Sequence, residues 1–100
     1  MAEQSFARNA ETGLSTSGVI TSDTAVKEAP GKVYWITLSV ESASVIQLND
    51  STDDSGTDKW QLRLPDNGCI HINLDPPIEC ATGIYIDIPA GEPTVVVGYI

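Results

Sequence analysis

Basic residues are scarce in this sequence. Five Lys and Arg stand against fourteen Asp and Glu, a formal net charge of −9. Nucleic acids and anionic membranes are gripped through Lys/Arg contacts to phosphate, so neither is expected as a partner. Long apolar runs are missing too, and none approaches the ~20 residues of a membrane span. Met1–Ala10 lacks the apolar stretch of a secretory signal. Histidine occurs once, at His71, so any Ser-His-Asp or Cys-His catalyst would have to use it. There is no Gly-x-Ser-x-Gly, and the eight glycines are scattered at turns rather than gathered into a phosphate-cradling loop. Cys69, His71 and Cys80 are too few and too poorly spaced for a zinc centre. These absences predict a protein that is not an enzyme, with no cofactor and no metal.

What is present suits one small domain. A chain of 100 residues buries about 60–65% of the surface its unfolded form exposes, enough for one modest core. Apolar residues make up 41% of it, which predicts a folded body rather than a disordered tail. Met1–Thr16 is the exception. It is polar and small, with Phe6 and Leu14 nearly alone, and cannot offset its ordering entropy unaided. Residues 1–17 are therefore read as an N-terminal arm and residues 18–100 as the folded domain.

From Lys32 onward the apolar period is two. Tyr34, Ile36, Leu38 and Val40 share one face of a strand whose other face carries Val33, Trp35, Thr37 and Ser39. The pattern continues with Ile46 and Leu48, then Trp60, Leu62 and Leu64. It resumes with Ile70, Ile72 and Leu74, then Ile84, Ile86 and Ile88. Gly18–Thr21 reads as a short first strand and Ser22–Lys32 as a connection. Asp50–Asp58, Pro65–Gly68, Asp75–Pro77 and Pro89–Pro93 carry turn chemistry. Pro76 and Pro77 cannot donate to a ladder and belong at a strand edge. About seven or eight short strands separated by turns predict an antiparallel β-sandwich, Ig-like or jelly-roll-like.

The polar clusters have bland readings. Asn49–Asp58 holds Asp50, Asp53, Asp54 and Asp58, oxygen donors of the calcium kind, but the spacing is not that of an EF-hand. A solvated turn bonded to its own backbone is the expected reading, and a weak cation site is the alternative. Cys69 and Cys80 read as free thiols, although facing positions on neighbouring strands would allow a bond. Trp35 and Trp60 fit the strand alternation as core or interface residues, and a sugar-stacking platform is the alternative.

The last strand, Thr94–Ile100, is apolar on both faces. Either it is central and doubly covered, or its outer face meets another subunit. Oligomer contacts are assigned to Val95, Val97 and Tyr99, or to the opposite set Val96 and Ile100. Phe6, Arg8 and Leu14 are the arm residues expected to dock.

Several blocks carry a resemblance. Ala7–Thr21 resembles the N-terminal block of small proteins encoded in tailed-bacteriophage structural gene clusters. Ile46–Trp60 is similar to their strand, acidic-glycine loop, strand hairpin, and Pro77–Ile88 with Thr94–Ile100 resembles their closing strands. The likeness spans residues 7–100 and rests on fold-determining residues, with Cys69 and Cys80 outside it. It implies a capsid cement (decoration) protein on the outer virion surface, made in the host bacterial cytoplasm. Such a protein is trimeric and sits between capsomers of the major capsid protein. The rival readings are a tail or baseplate module that grips host glycans and a tail-tube or head-completion subunit.

Overall fold

Alternation of apolar and polar residues gives each segment one face that must leave water, and the chain meets this by stacking two sheets. A computed structural model describes residues 14–100. Its elements are β1 (Ser15–Thr16), β2 (Thr24–Lys27), β3 (Gly31–Ser39), β4 (Ser44–Asp50), β5 (Thr57–Leu64), β6 (Cys69–Cys80), β7 (Ile84–Ala90) and β8 (Thr94–Tyr99). All pairings are antiparallel, within two four-stranded sheets ordered β1-β8-β3-β6 and β2-β7-β4-β5. The expected β-sandwich is what forms, and no helix of the described residues is long and apolar enough to cross a membrane.

The pairing narrows the architecture. β1 pairs with β8, β2 with β7, β3 with β6 and β4 with β5. The chain is thus doubled back on itself as one long hairpin, with the acidic loop after β4 at its tip. Winding that hairpin brings β8 beside β3 and β7 beside β4. This is jelly-roll winding.

Ile36, Leu38, Val95 and Val97 from one sheet meet Ile46, Leu48, Ile84 and Ile86 from the other, all 0% exposed. Each such side chain contributes roughly 1.5–3 kcal/mol of transfer free energy. Val33 joins them, three residues from Ile36, which strict alternation forbids. The ladder shifts between Val33 and Trp35, against both β8 and β6. This irregularity turns Val33 inward and leaves Tyr34, expected in the core, half-buried. On β6 the partner jumps from Ile78 to Asn73, so Asp75–Pro77 is a bulge within one long strand and not a turn between two. β6 is an edge strand, where the two prolines leave no donor missing from a ladder.

Two assignments near the start are corrected. Gly18–Thr21 contributes only a bridge from Ile20 to Val95, because Gly18 takes φ 75° and breaks the extended run. The segment read as a connection holds β2, four half-buried residues too short to show a period. The first sheet begins at Ser15, inside the segment assigned to the arm.

Asp50 locks one end of the sandwich. Its carboxylate accepts the backbone N–H groups of Ala81, Thr82 and Gly83 at 2.9, 2.7 and 3.3 Å. The Thr82 and Ala81 bonds lead in holding it below the usual carboxylate range of 3.8, against a smaller opposing effect of burial.

Candidate functional site

The β8 assignment divides by face. Val95 and Val97 lie in the core, and Tyr99 is half-buried against it. The two valines cannot meet a partner, because β8 is a central strand and the other sheet already covers their face. The opposite set points outward: Val96 is half-buried and Ile100 is 38% exposed. Leu14 is half-buried just before β1. Phe6 and Arg8 lie outside the described residues.

The outer face of this sheet is capped by an aromatic. The Trp35 ring sits over Gly98, where any Cβ would overlap it. Gly98 is buried, and the atoms nearest to where its Cβ would stand are all those of Trp35. Trp35 stays half-exposed, its ring 5.6 Å from that of His71 and tilted by 38°. His71 is outward as expected, with Nδ1 2.6 Å from the Thr37 hydroxyl and Nε2 3.3 Å from the Asn73 amide oxygen. That arrangement suits the Nε2–H tautomer, which donates to Asn73 and accepts from Thr37.

An apolar rim runs along one side of the sandwich. β5 and β6 are edge strands of opposite sheets, joined by the Pro65–Gly68 turn. Trp60, Leu62 and Leu64 on β5 pack inward as expected, and so does Leu74 on β6. Ile70 and Ile72 share the inward register of Leu38 and Ile36. At an edge, the facing sheet covers only part of each side chain. The result is a row of half-buried residues ending in Ile70 at 38% exposure.

At one end of the sandwich a cleft of about 680 Å³ is lined by Lys27, Lys32 and Lys59 with Tyr34, Asp50 and Glu79. These are all the lysines of the chain. Lys32 lies 3.9 Å from Glu79, an exposed pair of little energetic weight.

The acidic loop separates into two parts. Asp53 accepts the Ser55 N–H at 2.9 Å and the Ser51 hydroxyl at 3.1 Å, and the Ser51 oxygen accepts the Asp53 N–H at 3.1 Å. This is the self-bonded turn expected of such a sequence, and the Ser55 hydroxyl leads in lowering the Asp53 carboxyl. Asp54 instead approaches Asp23 and Asp87, with one oxygen of each within 4.8 Å of the others. Burial, then the Asp23 charge, raises the Asp87 carboxyl above the ordinary value. Nothing in the spacing of Asp23 and Asp87 betrays this meeting, which depends on β2 pairing with β7.

The thiols are free, Cys69 exposed and Cys80 buried. They sit at opposite ends of β6, on the order of 30 Å apart at strand rise, beyond any disulfide. Burial, then the nearby Asp50 charge, pushes Cys80 up to about 11. A thiol reagent at pH 8 is expected to modify Cys69 rapidly and Cys80 only after denaturation. Two fast equivalents in the folded protein would refute this placement.

Comparisons of the chain with protein families, with characterised proteins and with solved structures find no match.

Proposed function

We propose that this chain is a non-enzymatic structural protein of a tailed-phage virion. It acts as a capsid cement protein, docking as a homotrimer on the outer shell between capsomers of the major capsid protein. The observation that carries the reading is the apolar rim of β5 and β6. Trp60, Leu62, Ile70 and Ile72 are large apolar groups left partly in water along two strand edges that are unpaired among the described residues. Packing rim against neighbouring rim around a threefold axis removes that surface from water and covers both edges. The sequence resemblance points the same way, and jelly-roll sandwiches are used in viral shells. Repetition over a capsid lets modest single contacts act together. The charge of −9 per chain opposes premature association at low salt.

Light scattering behind a sizing column tests the assembly. The expected mass is about 32 kDa, three times the 10.6 kDa chain. Leu62→Glu with Ile70→Glu is expected to reduce it to the single-chain mass with the β-sheet signal retained. Co-sedimentation with phage heads stripped of accessory proteins tests the docking. A single-chain mass for the unaltered protein, without co-sedimentation, would overturn the proposal.

A second reading, a glycan-binding tail or baseplate module, is favoured by Trp35. Its half-exposed ring is surrounded by the polar groups of Thr37, His71 and Asn73, and stacking on a sugar ring needs such a platform. Its expected signature is tryptophan fluorescence that shifts with added oligosaccharide and no longer responds in Trp35→Ala.

A further inference from the structure

We propose that the outer face of the β2-β7-β4-β5 sheet holds a divalent cation of the calcium class, bound by Asp23, Asp54 and Asp87 above Asn49. The three carboxylates come from three places: the segment before β2, the loop after β4, and β7. One oxygen of each lies within 4.8 Å of the others. Calcium–oxygen bonds of about 2.3–2.6 Å allow ligands on one ion to stand up to roughly 5 Å apart. The donors are all oxygens, which suits a hard cation and not zinc or copper. Asp23 gives one oxygen to the Ile88 N–H at 2.8 Å, which fixes its carboxylate beside that of Asp87.

Asn49 is the independent observation. It is 0% exposed, and among the described residues neither its amide nitrogen nor its amide oxygen has a hydrogen-bond partner. Buried polar side chains are ordinarily satisfied, so an orphaned amide calls for a missing partner. Its place in the sheet says where that partner lies. Asn49 stands opposite Tyr85 on β7 and Asp58 on β5, two register positions from the Gln47–Asp87 pair and so on the same face. The neighbouring Leu48 points into the core, so Asn49 leaves β4 on the outer face, the face of Asp87. That face has no second sheet above it. The loop that follows β4 folds back over it, since this loop brings Asp54 to Asp87. The orphaned amide therefore lies on the sheet face that carries Asp87, toward which this loop brings Asp54. A cation with its bound water supplies the missing partner and offsets three converging negative charges. It also ties the tip of the chain's long hairpin to β2 and β7.

The test uses the full chain, freed of metal with chelator, and calcium chloride as the only ligand. Calorimetric titration is expected to show one ion per chain with a dissociation constant on the order of 10⁻⁴ M, the range of shallow surface sites. Melting temperature should rise with calcium, and less with magnesium, which demands stricter octahedral geometry. Terbium should give sensitised emission through Tyr85, lost in Tyr85→Phe. Asp54→Asn, a loop substitution outside the core, is expected to weaken calcium binding at least tenfold, as is Asp87→Asn. Absence of binding at 10⁻² M calcium would overturn the proposal, as would a response that survives both substitutions. The site is independent of the oligomer, so its failure leaves the trimer standing, and the reverse.

Discussion

Asp50→Ala is expected to lower the unfolding free energy by about 3 kcal/mol at neutral pH, a large effect for a half-buried polar residue. Asp50 accepts three backbone N–H groups from the β6–β7 turn. Hydrogen bonds to a charged group are worth roughly 1.5–3 kcal/mol each, and bonds sharing one carboxylate do not simply add. Removing the carboxylate strands donors at Ala81, Thr82 and Gly83, and Gly83 is buried. The pH dependence has a definite sign. Those donors hold the folded carboxyl below its unfolded value of 3.8. The contribution is therefore complete well above 3.8 and is lost as pH falls through the lowered folded value. Denaturant unfolding of the unaltered protein and the variant, repeated from pH 7 down to about 2.5, should show the gap closing in the acid range. A gap that does not change with pH would rule out the charge as its source.

Gly98→Val is expected to cost a similar amount, about 3 kcal/mol, through overlap rather than lost bonds. A Cβ at residue 98 would run into the Trp35 ring. β8 is held between β1 and β3, so its backbone cannot give way and the indole must leave. Overpacking typically costs about 1–3 kcal/mol, and a branched side chain under a ring belongs at the upper end. For a domain of this size that is a melting temperature about 12–24 °C lower. Trp35→Ala removes the obstacle. In a double-mutant cycle the Gly98→Val penalty should therefore largely vanish on the Trp35→Ala background, a coupling on the order of 2 kcal/mol. Additive penalties would show that the glycine serves some other need.

These two sites differ in how much of them the sequence discloses. Gly98 in an otherwise apolar strand already signals a close approach, but nothing local says that the approaching group is Trp35, far away on β3. Asp50 reads as one more turn acid among four in its loop. Its partners lie across the sandwich, and only the juxtaposition of β4 with the β6–β7 turn singles it out. Val95 and Val97 read as candidates for a subunit contact because their strand is apolar on both faces. The structure places them inside because β8 is central, and Trp35 accounts for part of the other face. The rim shows the converse. Trp60, Leu62, Ile70 and Ile72 have the alternation of ordinary inward residues, and only their position on edge strands leaves them partly in water.

The sequence by itself determined that this chain builds strands, that they carry one apolar face each, and which residues supply most of the core. These properties are local, because alternate side chains on a strand leave on opposite faces whatever lies beside it. The acid excess is likewise a property of composition. The tertiary structure alone decided which strands became edges, how the long hairpin wound, and that Val33 turned inward beside Ile36. It also gathered Asp23, Asp54 and Asp87, on the sheet face to which the buried Asn49 belongs. Those outcomes depend on pairing between segments far apart in the chain, where register is set by the packing of the whole and carries no local mark.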